Sequence, residues 1–259
     1  TDDAAVRRCI VRALAALCGD PLPDVASLDE PGRAEIGMIV YQCGERFLQN
    51  STAAGVVIAM VGSPAVGVRD AALCLCTALV AYEGGAALMA RLGAVKSVLG
   101  VVEAESRAQM LLVAMAFYSR VWAALCADTA PPAVRTQHAN IEGVIVRAVL
   151  TCCARCNGDT GVLFHAAALL KPVSGNPAHQ ATLAAMVSPL VQLLPTAVPP
   201  QYVVDVCTIV AAVVSLPERA DMISQEGVLG LIGVLNRLAA LDLPAASEPE
   251  KHAVVAATQ

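Results

Sequence analysis

Cys153-Ala-Arg-Cys156, with Cys152 beside it, is the constellation in this sequence whose residue types and spacing could most readily do chemistry. Two thiols three residues apart match half a zinc site or a dithiol redox pair. A structural zinc takes four ligands, and neither a second CxxC nor a paired histidine lies near in sequence. A redox pair of this kind follows a strand, whereas the preceding VIVRAVL reads as helix. The other cysteines are Cys9, Cys18, Cys43, Cys74, Cys76, Cys126 and Cys207. Most sit in apolar helical runs, where they act as small buried hydrophobes. Cys74 and Cys76 are two apart on a helix and so face different ways.

The histidines, His138, His165, His179 and His252, form no HExxH motif and no i, i+4 pair, so each reads as a loop or groove residue. Nucleophile-elbow and phosphate-loop patterns are missing as well. Gly227, Gly230 and Gly233 lie inside an apolar run, which suits close helix packing better than a phosphate cradle. Asp20, Asp24, Asp29 and Glu30 lack the alternating oxygen ligands and terminal Glu of a calcium loop, and read as caps and solvated acids. We therefore expect a protein that is not an enzyme, with no catalytic residue, no metal and no cofactor.

The elements that position these side chains follow from composition. The chain is 57% apolar with only 3% aromatics and is rich in Ala, Val and Leu, which favours helix over strand. Its formal charge of −5 and pI near 5.3 disfavour nucleic acid as a partner, because phosphate binding draws on Lys and Arg. Mean hydropathy is +0.64. The uncharged stretch 172–204 is nevertheless interrupted by Pro177, Pro189, Pro195, Pro199 and Pro200, and the run after Asp205 ends at Pro217, so no membrane span is expected. The opening TDDAAVRR is unlike a basic-then-apolar secretion signal, and with reduced thiols it points to the cytoplasm. The closing SEPEKHAVVAATQ stops soon after gaining an apolar face, which leads us to expect a piece of something longer.

A recurring phrase organises the chain. It reads GAVKSVLGVV from Gly93, GVIVRAVLTC from Gly143, AMVSPLVQLL from Ala185 and GVLGLIGVLN from Gly227. A small residue opens each copy and aliphatics follow at offsets 1, 2 and 5, the stripe of one helix face. The last two steps, 143 to 185 and 185 to 227, are 42 residues each, a period that points to stacked helical units. The clearest unit is 69–102. An Ala/Leu/Cys helix ends near Tyr82, Glu83-Gly84-Gly85 stops it, the short helix ALMARL follows, and Gly93 turns the chain into the next helix. Gly55 is expected to make a similar turn upstream, and Pro189 to fall in the first turn of its helix.

On MARLGAVKSVLGVV, ISQEGVLGLIGVLN and DAALCLCTALVAY the chain resembles the armadillo-repeat family. The resemblance implies an all-α fold, a right-handed superhelical armadillo-like α-solenoid of about five units in a single domain over 1–259. The units would be 35–62, 69–102, 107–152, 162–195 and 203–240, with a partial unit at 1–18, an irregular linker at 19–34, an insertion at 127–140 and a further helix beginning at 247. It further implies a groove lined by the third helix of each unit, exposing Tyr41 and Glu45, Leu73 and Thr77, Tyr118, Arg120 and Trp122, and His165. The family's peptide-clamping WxxxN is absent, because the single Trp122 is followed four residues later by Cys126. The implied function is a scaffold that binds a protein partner, an apolar helix or extended apolar segment, through the groove or the apolar ends. Two alternatives carry over: a structural subunit of a large cytoskeletal or ciliary assembly, and a solenoid sensing a nucleotide or metabolite beside Arg120 and Trp122.

Overall fold

The computed structural model describes residues 10–13, 41–126, 138–156, 159–194 and 198–215, with single helical positions at 229, 232 and 233. Among the described residues there is no β-strand. The helices are α1 (41–49), α2 (Ser51–Val61), α3 (Val66–Leu79), α4 (Gly85–Arg91), α5 (Ala94–Ala104), α6 (Ala108–Cys126), α7 (His138–Arg155), α8 (Thr160–Leu170), α9 (Gln180–Gln192) and α10 (Pro200–Val214). A 3-10 turn, Pro177–His179, precedes α9. The chain divides into two compact units, 1–148 and 149–259, with the division inside α7. The sequence-derived segments 19–34 and 127–137, and nearly all of 1–18 and 216–259, lie outside the described residues.

Local chemistry sets the helix ends. The Asn50 side chain accepts from the backbone N–H of Ala53 at 3.0 Å, and Asp159 accepts from that of Val162 at 3.0 Å, each capping a helix start. Two glycines alone among the described residues have positive φ, Gly84 at 71° and Gly93 at 85°, and they bracket α4. Side chains other than glycine adopt this left-handed region at a cost of about 1 kcal/mol. Gly93 lets α4 and α5 meet at a bend of 75°. The expected helix, stop, short helix, turn, helix order of 69–102 is thus present, with α3 ending at Leu79 and the turn running on through Tyr82.

The turn expected at Gly55 is absent, and two copies of the phrase do not open at a helix start. Gly55 lies within α2, Gly143 within α7 and Ala185 within α9. Aliphatics at offsets 1, 2 and 5 mark a helix face equally well at the middle of a helix and at its start, so the phrase located helices without locating their ends. Pro189 correspondingly sits well inside α9, not in its first turn. Its missing N–H deprives the Ala185 carbonyl of a partner, and Ala185 is exposed, so water can serve that oxygen. Among the described residues, an added Cβ at Gly233 would meet nothing within 4 Å.

In the first unit α2 packs on α3 and α5, and α6 packs against α3, α4 and α5. Leu73, Leu75, Leu79, Met89, Leu111, Met115, Phe117 and Tyr118 are fully buried between them. Helix α6 is long and apolar enough to cross a membrane by length and composition, a candidate the sequence reading did not single out. Its apolar stripe is instead packed on three neighbouring helices, and burying each large side chain there is worth about 1.5–3 kcal/mol. It is the core helix of its unit. In the second unit α8, α9 and α10 pack on one another around Leu163, Leu169, Leu170, Leu183, Leu190 and Ile209.

Candidate functional site

Four of the expected groove residues are interior, which corrects the sequence reading. Leu73 and Tyr118 are 0% exposed, Trp122 4% and Thr77 8%. The reason is helical phase. Tyr118 and Trp122 share a stripe with Leu111, Ala114, Met115 and Leu125, the face of α6 turned toward its packing partners. The polar tips of Thr77 and Tyr118 are satisfied inside. Thr77 Oγ1 donates to the Leu73 carbonyl at 2.9 Å, and the Tyr118 hydroxyl donates to the Val95 carbonyl of α5 at 3.0 Å. Helical spacing alone suits either face, and the phase of this aromatic cluster is that of the core.

Arg120 lies on the outer side of the same helix, and its Nη1 donates to the Thr77 carbonyl at 2.7 Å. That carbonyl is among the last four of α3, so the guanidinium caps a helix C-terminus and meets the negative end of its dipole. With Trp122 buried, Arg120 and Trp122 do not form the open arginine-on-indole clasp that a nucleotide sensor would use.

Tyr41 and Glu45 remain at the surface, and they come with neighbours that sequence reasoning missed. Tyr41 is 49% exposed, and its ring centroid lies 5.7 Å from that of Tyr82 at a 36° tilt. Tyr82 belongs to the turn between α3 and α4, and its ring covers the backbone of α1 at Gly44, where an added Cβ would sit 2.2 Å from Tyr82 Cζ. Glu45 is one helical turn beyond Tyr41. A hydrogen bond to Glu45, then the charge of Glu45, burial, and the charge of Glu83 all raise the Tyr41 phenol above its ordinary pKa. The signal available in the sequence was the i, i+4 spacing of Tyr41 and Glu45 around a glycine, which leaves room for a ring from another element. His165 is half-buried on α8, and burial lowers its pKa. Its neighbour Phe164 stacks edge-on with Tyr202 at 4.9 Å, and the Tyr202 hydroxyl donates to the Leu190 carbonyl near the end of α9 at 2.8 Å.

The CxxC pair lies at the C-terminal end of α7. Carbonyl dipoles there oppose a thiolate, the reverse of the N-terminal setting that activates one. Burial accordingly pushes Cys152 and Cys153 up to about 12 and raises Cys156. Among the described residues no group of three or more His, Cys, Asp or Glu side chains could hold a metal ion.

A charged cluster that sequence reading did not identify joins α3 to the α5–α6 junction. Arg107 grips Asp70 through Nη1 and Nη2, both at 2.8 Å, and also reaches Glu105 through Nε at 3.0 Å. Arg69 Nη2 meets Glu105 at 3.2 Å, and Glu105 Oε1 accepts from the backbone N–H groups of Ser106 and Arg107, both at 2.9 Å. Asp205 of α10 similarly receives Lys171 Nζ and Gln201 Nε2, both at 2.8 Å. These carboxylates fasten helices together.

No protein-family model matches the sequence, and no curated protein matches it. A solved structure is similar to the whole fold: a designed armadillo repeat protein, 13% identical, superposes with a TM-score of 0.54 over 96% of this chain and 98% of that one. Likeness at this identity speaks to fold and leaves side-chain roles to this chain's own geometry. With all-helical units, the glycine turn between α4 and α5, and this superposition, the chain has an armadillo-like repeat fold.

Proposed function

We propose that this protein is a non-enzymatic scaffold that binds a protein partner at its surface, with Tyr41 and Glu45 of α1 as part of the contact. The fold supports this, since armadillo-like repeats generally serve as protein-binding scaffolds. The observation that carries it is the exposed Tyr41 ring, held in place by Tyr82 and Glu45 before any partner arrives. A pre-oriented aromatic side chain buries large area on binding and loses few rotamers. High hydropathy favours a helical or extended apolar segment as the occupant. Arg120 and His165 are the other proposed contacts, one at the surface and one half-buried. The free cysteines among the described residues fit a cytoplasmic location, which is part of the proposal.

A photo-activatable phenylalanine analogue at position 41, irradiated in native extract, tests this reading. Discrete protein adducts are expected at 41 and not at exposed Lys96 of α5. Equal labelling at the two positions would remove α1 from the contact surface.

A further inference from the structure

The side chains around Tyr41 have a chemistry that the scaffold reading leaves unused. Two tyrosine rings lie 5.7 Å apart with the outer one half-exposed, and Glu45 on α1 and Glu83 in the α3–α4 turn both lie close enough to Tyr41 to act on it. A ring face carries negative quadrupole density, and two carboxylates beside it add full negative charge. The position is rigid, because Tyr82 is seated on Gly44 with no room for a side chain between them. Arg46, exposed on α1, is one residue beyond Glu45 and so about 100° around the helix from it.

We propose that Tyr41, Tyr82, Glu45 and Glu83 form a docking point for one cationic side chain of the bound partner, an arginine stacked on the Tyr41 ring with its guanidinium edge toward the two glutamates. Arginine suits the site better than lysine. Its planar fork stacks on a ring and pairs with carboxylates at the same time, whereas an ammonium offers a single strongly hydrated point charge. This inference rests on the scaffold reading and specifies the partner: a largely apolar segment bearing one arginine.

The test uses the whole chain with 13C-labelled tyrosine rings. Only four tyrosines are present, so each signal can be assigned by substitution. The probes are two short apolar peptides, one with a single arginine and one with citrulline, which keeps the shape and removes the charge. The arginine peptide is expected to shift Tyr41 and Tyr82 and leave buried Tyr118 and Tyr202 in place, while the citrulline peptide shifts none. Replacing both acids (E45Q and E83Q) should weaken the arginine peptide about fivefold, the loss of two exposed ion pairs with the ring contact kept. Unchanged Tyr118 and Tyr202 signals would show that the fold survives the substitutions. Equal response to citrulline, or no weakening in the double variant, overturns the proposal. Adducts at position 41 that persist undiminished in the double variant also overturn it while keeping the scaffold; loss of partner adducts with the peptide response intact does the reverse.

Discussion

Replacing Glu105 with glutamine tests whether the charged cluster is what fixes α6 against α3. Glutamine preserves size and the acceptor for the Ser106 and Arg107 backbone N–H groups, so the change isolates the charge. The Glu105 carboxyl is held at about 2 against an ordinary 4.5, first by the hydrogen bond from the Arg107 side chain, with burial opposing and the backbone N–H bonds assisting. The full difference corresponds to about 3 kcal/mol at 1.36 kcal/mol per unit, an upper bound. The carboxylate is 5% exposed but Arg107 is 45% exposed, and solvent screening lowers the expected loss to about 1–2 kcal/mol. The sign follows from linkage. A carboxyl whose folded pKa is depressed contributes stability in full above its ordinary pKa of 4.5, and the contribution fades as pH falls toward about 2. Urea unfolding followed by fluorescence of the single tryptophan, Trp122, buried in α6 of the same unit, reads the effect directly. The wild type should exceed the variant by 1–2 kcal/mol at pH 7, to order of magnitude, and the gap should close between pH 4.5 and 2. A gap of equal size at pH 7 and pH 2.5 would refute the assignment of this stability to the charge.

Two further outcomes are expected. Gly85→Ala would drive a methyl to 2.1 Å from the Leu79 carbonyl oxygen, and should destabilise by about 1–3 kcal/mol. Gly100→Ala, in open space on α5, should stabilise by roughly 0.5–1 kcal/mol, and equal effects at both positions in thermal melts would contradict the geometry. For the thiols, Cys76, Cys152 and Cys153 stand at about 12, so at pH 8 only about one molecule in ten thousand carries the thiolate at each. Site-resolved mass spectrometry after brief alkylation should find exposed Cys126 modified well before these three, and rapid labelling of Cys153 would show that its end of α7 is not packed as described.

Some of this structure was legible in residues and some was not, for physical reasons. Gly84 and Gly93 could be placed because left-handed backbone restricts the choice of residue, and a break flanked by apolar runs leaves little else for a glycine to do. Gly55 has no such backbone need, so the turn that its surroundings suggest is one that α2 runs straight through, and the phrase opening at Gly143 likewise falls inside α7. The charged cluster escaped notice because its ends lie far apart in sequence, Arg69 and Asp70 on one side and Glu105 and Arg107 on the other. The Tyr41 and Tyr82 pair escaped for the same reason: only the fold brings α1 beneath the α3–α4 turn.

The misplacement of Tyr118 and Trp122 also bears on function. A helix offers one stripe to its unit and another to the outside, and on α6 the first carries Phe117, Tyr118 and Trp122 while the second carries Gln109, Ala123 and Ala124 with Arg120. Tyr118 ties α6 to α5 and Arg120 ties it to the end of α3, so these side chains hold three helices in register. Arg120 apart, what α6 leaves outward carries no large apolar anchor. On α1 the arrangement is opposite, because Gly44 admits the Tyr82 ring beneath the helix and leaves Tyr41 supported from below and open above. Binding energy in such a fold concentrates where an aromatic is braced yet uncovered, which is why the search for a partner begins at α1.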